Sequence, residues 1–308
     1  MTQVTLAAPR PRVARRSEAV TALRKFLRGV IPTAIGLVIF VLLAFPIVWL
    51  VDTSFKDAYA ARAIPPQYIP LQPTLDVYKA FFAGEAGAAT TRELQYWYVM
   101  VGNSLYVALL PAVLATIIGT FAGYGFARFA FPGGMLLLTV LLLGQMFPGP
   151  SLFVPIYFVV TALGLHDNLL ALVLIYTAFH VPVATWLMCG FIRTIPLELE
   201  EAARIDGASL MQVLLKIVIP LAKIGILTVA MLGFMAFWGE YGFASIIIET
   251  QSKYTATMGL VRQMTTMGVA FNVIGAAATM MAAPMLIFLM LMQKQFVRGL
   301  TAGALKDA

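Results

Sequence analysis

The chain has 308 residues, of which 61% are hydrophobic and 11% charged, with a formal net charge of +7 at pH 7. Soluble domains carry about a quarter charged residues, so this composition excludes one and describes an integral membrane protein. The excess of bases does not point to nucleic acid, because the bases flank apolar runs and form no stripe interleaved with aromatics.

Residues 1–29 form a basic tail with seven Lys and Arg against the single acid Glu18. The apolar run 30–51 that follows is too long for a signal-peptide core and lacks a small-residue cleavage pattern, so it reads as a retained first span. Residues 52–95 are mixed and proline-rich and read as an extracytoplasmic loop. Within it, Pro73 and Thr74 can open a short helix over Leu75, Val77, Tyr78, Phe81 and Phe82. Residues 96–292 form a five-span core. Its second span runs from about Trp97 to Phe121. The third, Met135 to about Leu163, is broken by Pro148-Gly149-Pro150 and Pro155, which a span tolerates where neighbours or water satisfy the freed carbonyls. A fourth span covers Leu169 to Cys189, a fifth Leu221 to about Ile248, and a sixth Val273 to Met292, with an outer loop from Glu249 to Asn272. Residues 293–308 are a basic C-terminal tail.

Between the fourth and fifth spans lies the stretch 195–220, which carries four acids and two bases. A charge at the membrane centre costs roughly 2.5 to 3.5 kcal/mol, so this stretch faces water. Pro196 suits a first helical turn, and Glu198, Glu200 and Glu201 place negative charge at a helix N-terminus. Gly207 lets the backbone turn, and Leu210, Val213, Leu214 and Ile217 then mark a second helical stripe that runs to Pro220. The spacing predicts a helix-Gly-helix elbow. Lys and Arg number fifteen in the N-tail, at Arg128, from Arg193 through Lys223 and in the C-tail, against six in the two opposite loops. That asymmetry predicts six spans with both termini cytoplasmic.

Glu201-Ala202-Ala203, then Gly207, Ile217 and Ile219-Pro220 at fixed spacing, resemble the EAA loop of the membrane subunits of bacterial ATP-binding cassette importers, with Ile219 where Leu is usual. Asn103-Ser104-Leu105, the run from Tyr124 to Gly133, Met146-Phe147-Pro148, Asp167-Asn168, Phe191 to Pro196 and the closing Gly299 to Lys306 are similar to the permease subunits of carbohydrate importers, the maltose/trehalose type in particular. The resemblance implies an all-α integral membrane protein with six transmembrane helices and a cytoplasmic EAA-type coupling helix in the bacterial inner membrane. Glu198, Glu201, Ala202, Ala203, Asp206, Gly207 and Pro220 would then meet the ATPase. It also implies a second homologous permease subunit, an ATPase dimer that binds ATP and Mg, an extracytoplasmic sugar-binding protein and surrounding membrane lipid, with no cofactor or nucleic acid held by this chain. Two departures stand out. Lys223-Ile224-Gly225 replaces a further proline found in many relatives, which predicts a less kinked start to the fifth span. The outer loop 249–272 is shorter than the insertion that maltose permeases send into their binding protein.

No lysine follows a glycine, so the chain has no phosphate-cradling G-x-x-x-x-G-K-[ST] loop, and motifs such as H-E-x-x-H are absent. Catalysis is not expected of it. Cys189 alone excludes an intrachain disulfide, and His166 and His180 have no ligand spacing around them. Glu240, in Phe237-Trp238-Gly239-Glu240-Tyr241-Gly242, is the main ionisable candidate within a span. It reads either as a pathway acid, with Trp238 and Tyr241 as aromatic faces for a sugar ring, or as a paired or solvated acid near the outer interface. Gln145 and Asn103 are further pathway candidates whose plainer role is an interhelical hydrogen bond. An alternative function is a stand-alone secondary transporter that couples ions through Glu240.

Overall fold

The structure is a computed structural model that describes residues 12–83, 96–265 and 270–304, and its regular elements within those ranges are helices. They are α1 (Arg12–Ser54), α2 (Asp76–Ala83), α3 (Trp97–Arg128), α4 (Gly134–Leu143), α5 (Phe153–Ala162), α6 (Leu169–Arg193), α7 (Glu198–Ile205), α8 (Leu210–Val213), α9 (Ile219–Leu221), α10 (Lys223–Trp238), α11 (Gly242–Ile247), α12 (Ala256–Thr265) and α13 (Phe271–Ala304). Four helical stretches are long and apolar enough to cross a membrane: Val30–Ser54, Trp97–Arg128, Leu169–Arg193 and Phe271–Met290. Two bent pairs, each counted as one span, bring the number to six.

The centre is the pairing of α3 with α6, and small residues set its closeness. A Cβ on Gly119 would lie 2.6 Å from Ala184 Cβ, and one on Gly123 would lie 2.8 Å from the Cys189 backbone nitrogen. Lipid gives helices no hydrophobic reason to associate, so close backbone approach of this kind supplies the dispersion contact that holds them. Helix α10 packs on the same pair, with Gly233 against the His180 ring, whose Nε2 lies 3.0 Å from Val229 O. Among the described residues, the main packing partner of α1 is α13, and Gly275 allows that contact. The apolar window of α1 has no buried residue, which leaves its flank open along the span.

Several boundaries differ from the expectations. The broken third span bends by 96° between Gly134–Met146 and Gly149–Ala162, because Pro148 and Pro150 interrupt the hydrogen-bond ladder. The start of the fifth span is sharply bent: Leu210–Leu221 and Lys223–Trp238 meet at 75°. Pro220 and the π-helical turn Leu214–Val218 supply the kink without a further proline, and Gly225 then lets α10 lie on Phe191, where a Cβ would sit 2.5 Å from the ring. That span ends at Trp238, not Ile248, and the chain restarts as α11. Asn272 belongs to α13, not to the outer loop, and that helix continues through the expected tail to Ala304, with 305–308 outside the described residues. The basic tail is helical from Arg12, and the outer loop 249–272 contains α12. The short helix after Thr74 forms as Asp76–Ala83. Thr74 Oγ1 accepts from Asp76 N, and Phe81 stacks on Trp97 with ring centroids 5.3 Å apart.

Candidate functional site

The elbow is built from local chemistry. Helix α7 ends in a left-handed cap: Gly207 has φ +87°, its N–H donates to Arg204 O (3.0 Å), and Ala208 N donates to Ala203 O (2.9 Å). This paired closure is the Schellman arrangement, and it needs a residue at ease with positive φ. Two residues on, Ser209 and Gln212 form a reciprocal capping box. Ser209 N donates to Gln212 Oε1 (2.8 Å) and Gln212 N to Ser209 Oγ (3.4 Å). Six residues of sequence thus stop one helix and start the next.

The long-range part of the site is a charge clamp. Glu200 is 3% exposed. Its carboxylate accepts from Arg128 Nε (2.6 Å) and Tyr124 OH (3.0 Å), both from the end of α3. Arg128 Nη2 donates to Ile192 O (3.0 Å), in the last turn of α6, and to Ile195 O (2.8 Å), in the turn that follows it. Arg128 therefore ties α3, α6 and α7 together at one point. Neither Arg128, Glu200 nor Tyr124 was singled out from sequence as a site residue. The available signal was that Glu200 shares an inward stripe with the small Ala203 three residues on, opposite the lone base at the end of a span.

Of the expected elbow residues, Glu198, Glu201, Ala202, Asp206 and Gly207 are exposed, Ala203 is half-buried against Val213 and its neighbours, and Pro220 is exposed beside the bend. Ile205 projects from the same face and is 87% exposed. The result is a short helix showing acids, a small-residue surface and the large apolar side chains of Leu199 and, most fully, Ile205 to the outside.

The pathway candidates do not converge. Glu240 sits in the break between α10 and α11, where its carboxylate accepts from Phe243 N (2.9 Å), Ala244 N (3.3 Å) and Tyr176 OH. It caps the N-terminus of α11, and Tyr176 is held for that bond by stacking on Phe237 with centroids 4.7 Å apart. Trp238 is buried and donates through Nε1 to Met281 O (2.9 Å), so its ring packs between α10 and α13. Asn103 Nδ2 donates to Ser252 O and Tyr254 O, both at 3.0 Å, and pins the chain after α11 to α3. Tyr241 is exposed beside Glu240. Gln145 lines a cavity of about 450 Å³ whose other walls include Ile156, Val160, Ile175 and Phe179, an apolar surface that offers a hydroxyl-rich ligand few partners.

At the end of the molecule opposite the elbow, Asp167 holds the turn before α6 to the chain after α11. It accepts from Thr250 N (3.0 Å), Thr250 Oγ1 (2.6 Å), Glu249 N (3.0 Å) and Lys253 Nζ (2.7 Å). Desolvation pushes its carboxyl upward, but Lys253, Thr250 and the backbone donors outweigh that and hold it well below the usual carboxylate range.

Residues 115–302 match the family model described as "Binding-protein-dependent transport system inner membrane component". The chain is 35% identical to the galactooligosaccharides transport system permease protein GanQ of Bacillus subtilis (strain 168), over 86% of this chain and 91% of that one. It is 32% identical to the trehalose transport system permease protein SugB of Mycobacterium tuberculosis (strain CDC 1551 / Oshkosh), over 85% of this chain and 92% of that one. Among solved structures, a chain of a bacterial ABC transporter involved in the import of the acidic polysaccharide alginate superposes with a TM-score of 0.69 at 20% identity, covering 94% of this chain and 99% of that one.

Proposed function

The chain belongs to the family of binding-protein-dependent transport system inner membrane components, and from that premise we propose that it is one permease subunit of an ATP-driven importer of oligosaccharides. Membership makes it a multi-pass inner-membrane subunit that works with an ATPase and a substrate-binding protein. The sugar class is supported by the names of its relatives, which include permeases for galactooligosaccharides, trehalose and diacetylchitobiose. Maltose in particular has no such support. In this reading the two bent pairs complete six spans, both termini are cytoplasmic, a second homologous permease closes the pathway, and ATP and Mg are held by the ATPase dimer.

The observation that carries the coupling role is the elbow. An exposed helix can pass force only if its base is rigid, and the Arg128–Glu200 clamp fixes α7 to the ends of α3 and α6, which glycine packing makes into one body. Movement of α7 by an ATPase groove would therefore carry both spans. On the other side the π turn and the 75° bend at Ala222 let α10 change angle relative to α7. Such a hinge next to a rigid pair suits alternating access. Glu240, committed to the α11 cap, is in the same reading a structural acid beside the pathway, not an ion-coupling site.

The test is Ile205→Asp in a tagged copy purified in mild detergent, with ATPase subunit retained per permease as the measurement. Ile205 touches nothing in its own chain that the change would disturb, so insertion into the membrane should be normal while retention falls at least about tenfold, as expected for loss of a central apolar anchor. Full retention with full transport would remove α7 from the ATPase interface.

A further inference from the structure

Helix α10 has a joint at each end. Before it the chain bends by 75° at Ala222, and after it the helix stops at Gly239 and the chain restarts at Gly242 as α11. Chain connectivity therefore leaves its angle open, and lateral contacts must set it. Two of those contacts are polar and come from one face of α6, where Tyr176 and His180 stand one turn apart, both buried. His180 Nε2 lies 3.0 Å from Val229 O; a carbonyl only accepts, so the imidazole proton sits on Nε2 and is donated there. The ring reaches that carbonyl because Gly233, one turn on, has no side chain: a Cβ would stand 2.7 Å from Nε2. Tyr176 OH donates to the Glu240 carboxylate. Phe237 touches both rings, stacked on Tyr176 and edge-on to His180, with centroids 4.7 and 5.9 Å apart.

We propose that Tyr176 and His180 form a latch that holds α10 at its present angle against α6, and that the transport stroke opens it. Both bonds end on acceptors that have other donors. Val229 O keeps the Gly233 N–H of its own helix, and Glu240 keeps the amides of Phe243 and Ala244. Opening therefore strands no backbone group in the membrane, which is the costly event there. The Arg128–Glu200 clamp is the opposite case, since parting it leaves a buried charge unpaired. Helix α6 thus has a fixed joint to α7 and a releasable one to α10. The latch rests on the importer reading, in which ATP moves α7 and with it α3 and α6; it names the contact that must yield for α10 to change angle against them.

The test uses the chain purified with the subunits that accompany it and reconstituted in vesicles. Leu174→Cys in α6 and Ala236→Cys in α10, both at exposed positions, carry spin labels in a Cys189→Ala background. With the latch intact, one interlabel distance should appear without nucleotide and a second with ATP and Mg. In His180→Leu and in Tyr176→Phe the second distance should be at least about threefold more populated without nucleotide, and basal ATPase activity without a sugar-binding protein should rise with it. His180→Gln, which carries a donor at a similar reach, should restore the resting distance. A purely packing role would instead lower complex yield and ATPase activity together, with no second distance, and that result would overturn the latch. So would a distance that ATP leaves unchanged, or one that neither His180→Leu nor Tyr176→Phe alters. If the distances respond as stated while the wild-type complex imports no oligosaccharide, the latch stands and the sugar reading falls.

Discussion

Arg128→Met tests the clamp on which the coupling reading depends. Both partners are nearly buried, with Arg128 and Glu200 side chains 11% and 5% exposed. Removing the guanidinium leaves the Glu200 carboxylate in a buried site with Tyr124 OH as its remaining donor there, and takes a donor from Ile195 O and from Ile192 O, which keeps Ile195 N at 3.1 Å. Breaking one side of a buried pair costs about 3–5 kcal/mol, because the surviving charge stays desolvated. Arg128→Met with Glu200→Gln relieves the charge but still leaves Ile195 O without its side-chain donor, a residual cost of about 1–3 kcal/mol. The chain carries its own reporter, since its single cysteine, Cys189, is buried in α6 and becomes reactive to a fluorogenic thiol dye on unfolding. Heating in detergent with that dye should show the midpoint of Arg128→Met lowered by on the order of 5–10 °C, with the double variant recovering part of the loss. ATPase retention should follow the same order. If the single variant unfolds like wild type, or if the double variant merely sums the two singles, the residues are not coupled and the elbow has no fixed base.

At Gly207 a Cβ meets open space within the chain, so the cost of substitution lies in the backbone: Gly207→Val should lose about 1–3 kcal/mol of elbow stability and most coupling, while Gly207→Asn, at ease in the left-handed region, should retain it. ATPase retention and transport rate in the two variants separate strain from contact. Glu240→Gln keeps an acceptor for the α11 amides and should preserve assembly and basal ATPase activity, whereas Glu240→Ala strands Phe243 and Ala244 N–H in the span and should lose on the order of 1–3 kcal/mol, read as the yield of intact complex. Asp167 has a folded-state carboxyl below its ordinary range, so its stabilisation is complete above about pH 5 and fades as pH falls through about 4 and lower; Asp167→Asn should flatten that part of the unfolding profile and leave it unchanged near neutrality only in slope, not in height. For orientation, Ser252→Cys should react with an impermeant maleimide in spheroplasts and Ser209→Cys should not; both side chains are exposed, so labelling reports the side of the membrane.

Composition and periodicity by themselves determined the membrane class, the apolar runs and the elbow, because each follows from short-range rules. A run of about 20 apolar residues is stable only in lipid, four acids in 195–220 are stable only in water, and a left-handed cap at Gly207 needs a residue at ease with positive φ. Glu201-Ala202-Ala203 and Gly207 carried the resemblance to importer permeases, and locally the same residues fix a helix and its stop. What sequence could not show is which polar side chains face one another across the fold. Arg128 and Glu200 are separated by 72 residues and Asp167 and Lys253 by 86, and only the packing of α3 on α6 and of the outer turns on one another brings them within bonding distance. Trp238, Asn103 and Glu240 had the right chemistry for a sugar pathway and were legible as polar or aromatic groups in a span. Tertiary structure decided their partners: a carbonyl of α13, two carbonyls beyond α11 and the amides of α11 itself. In a membrane interior every unpaired polar group is costly, so such groups find partners within the chain first, and the geometry of those partners exists only once the helices have packed.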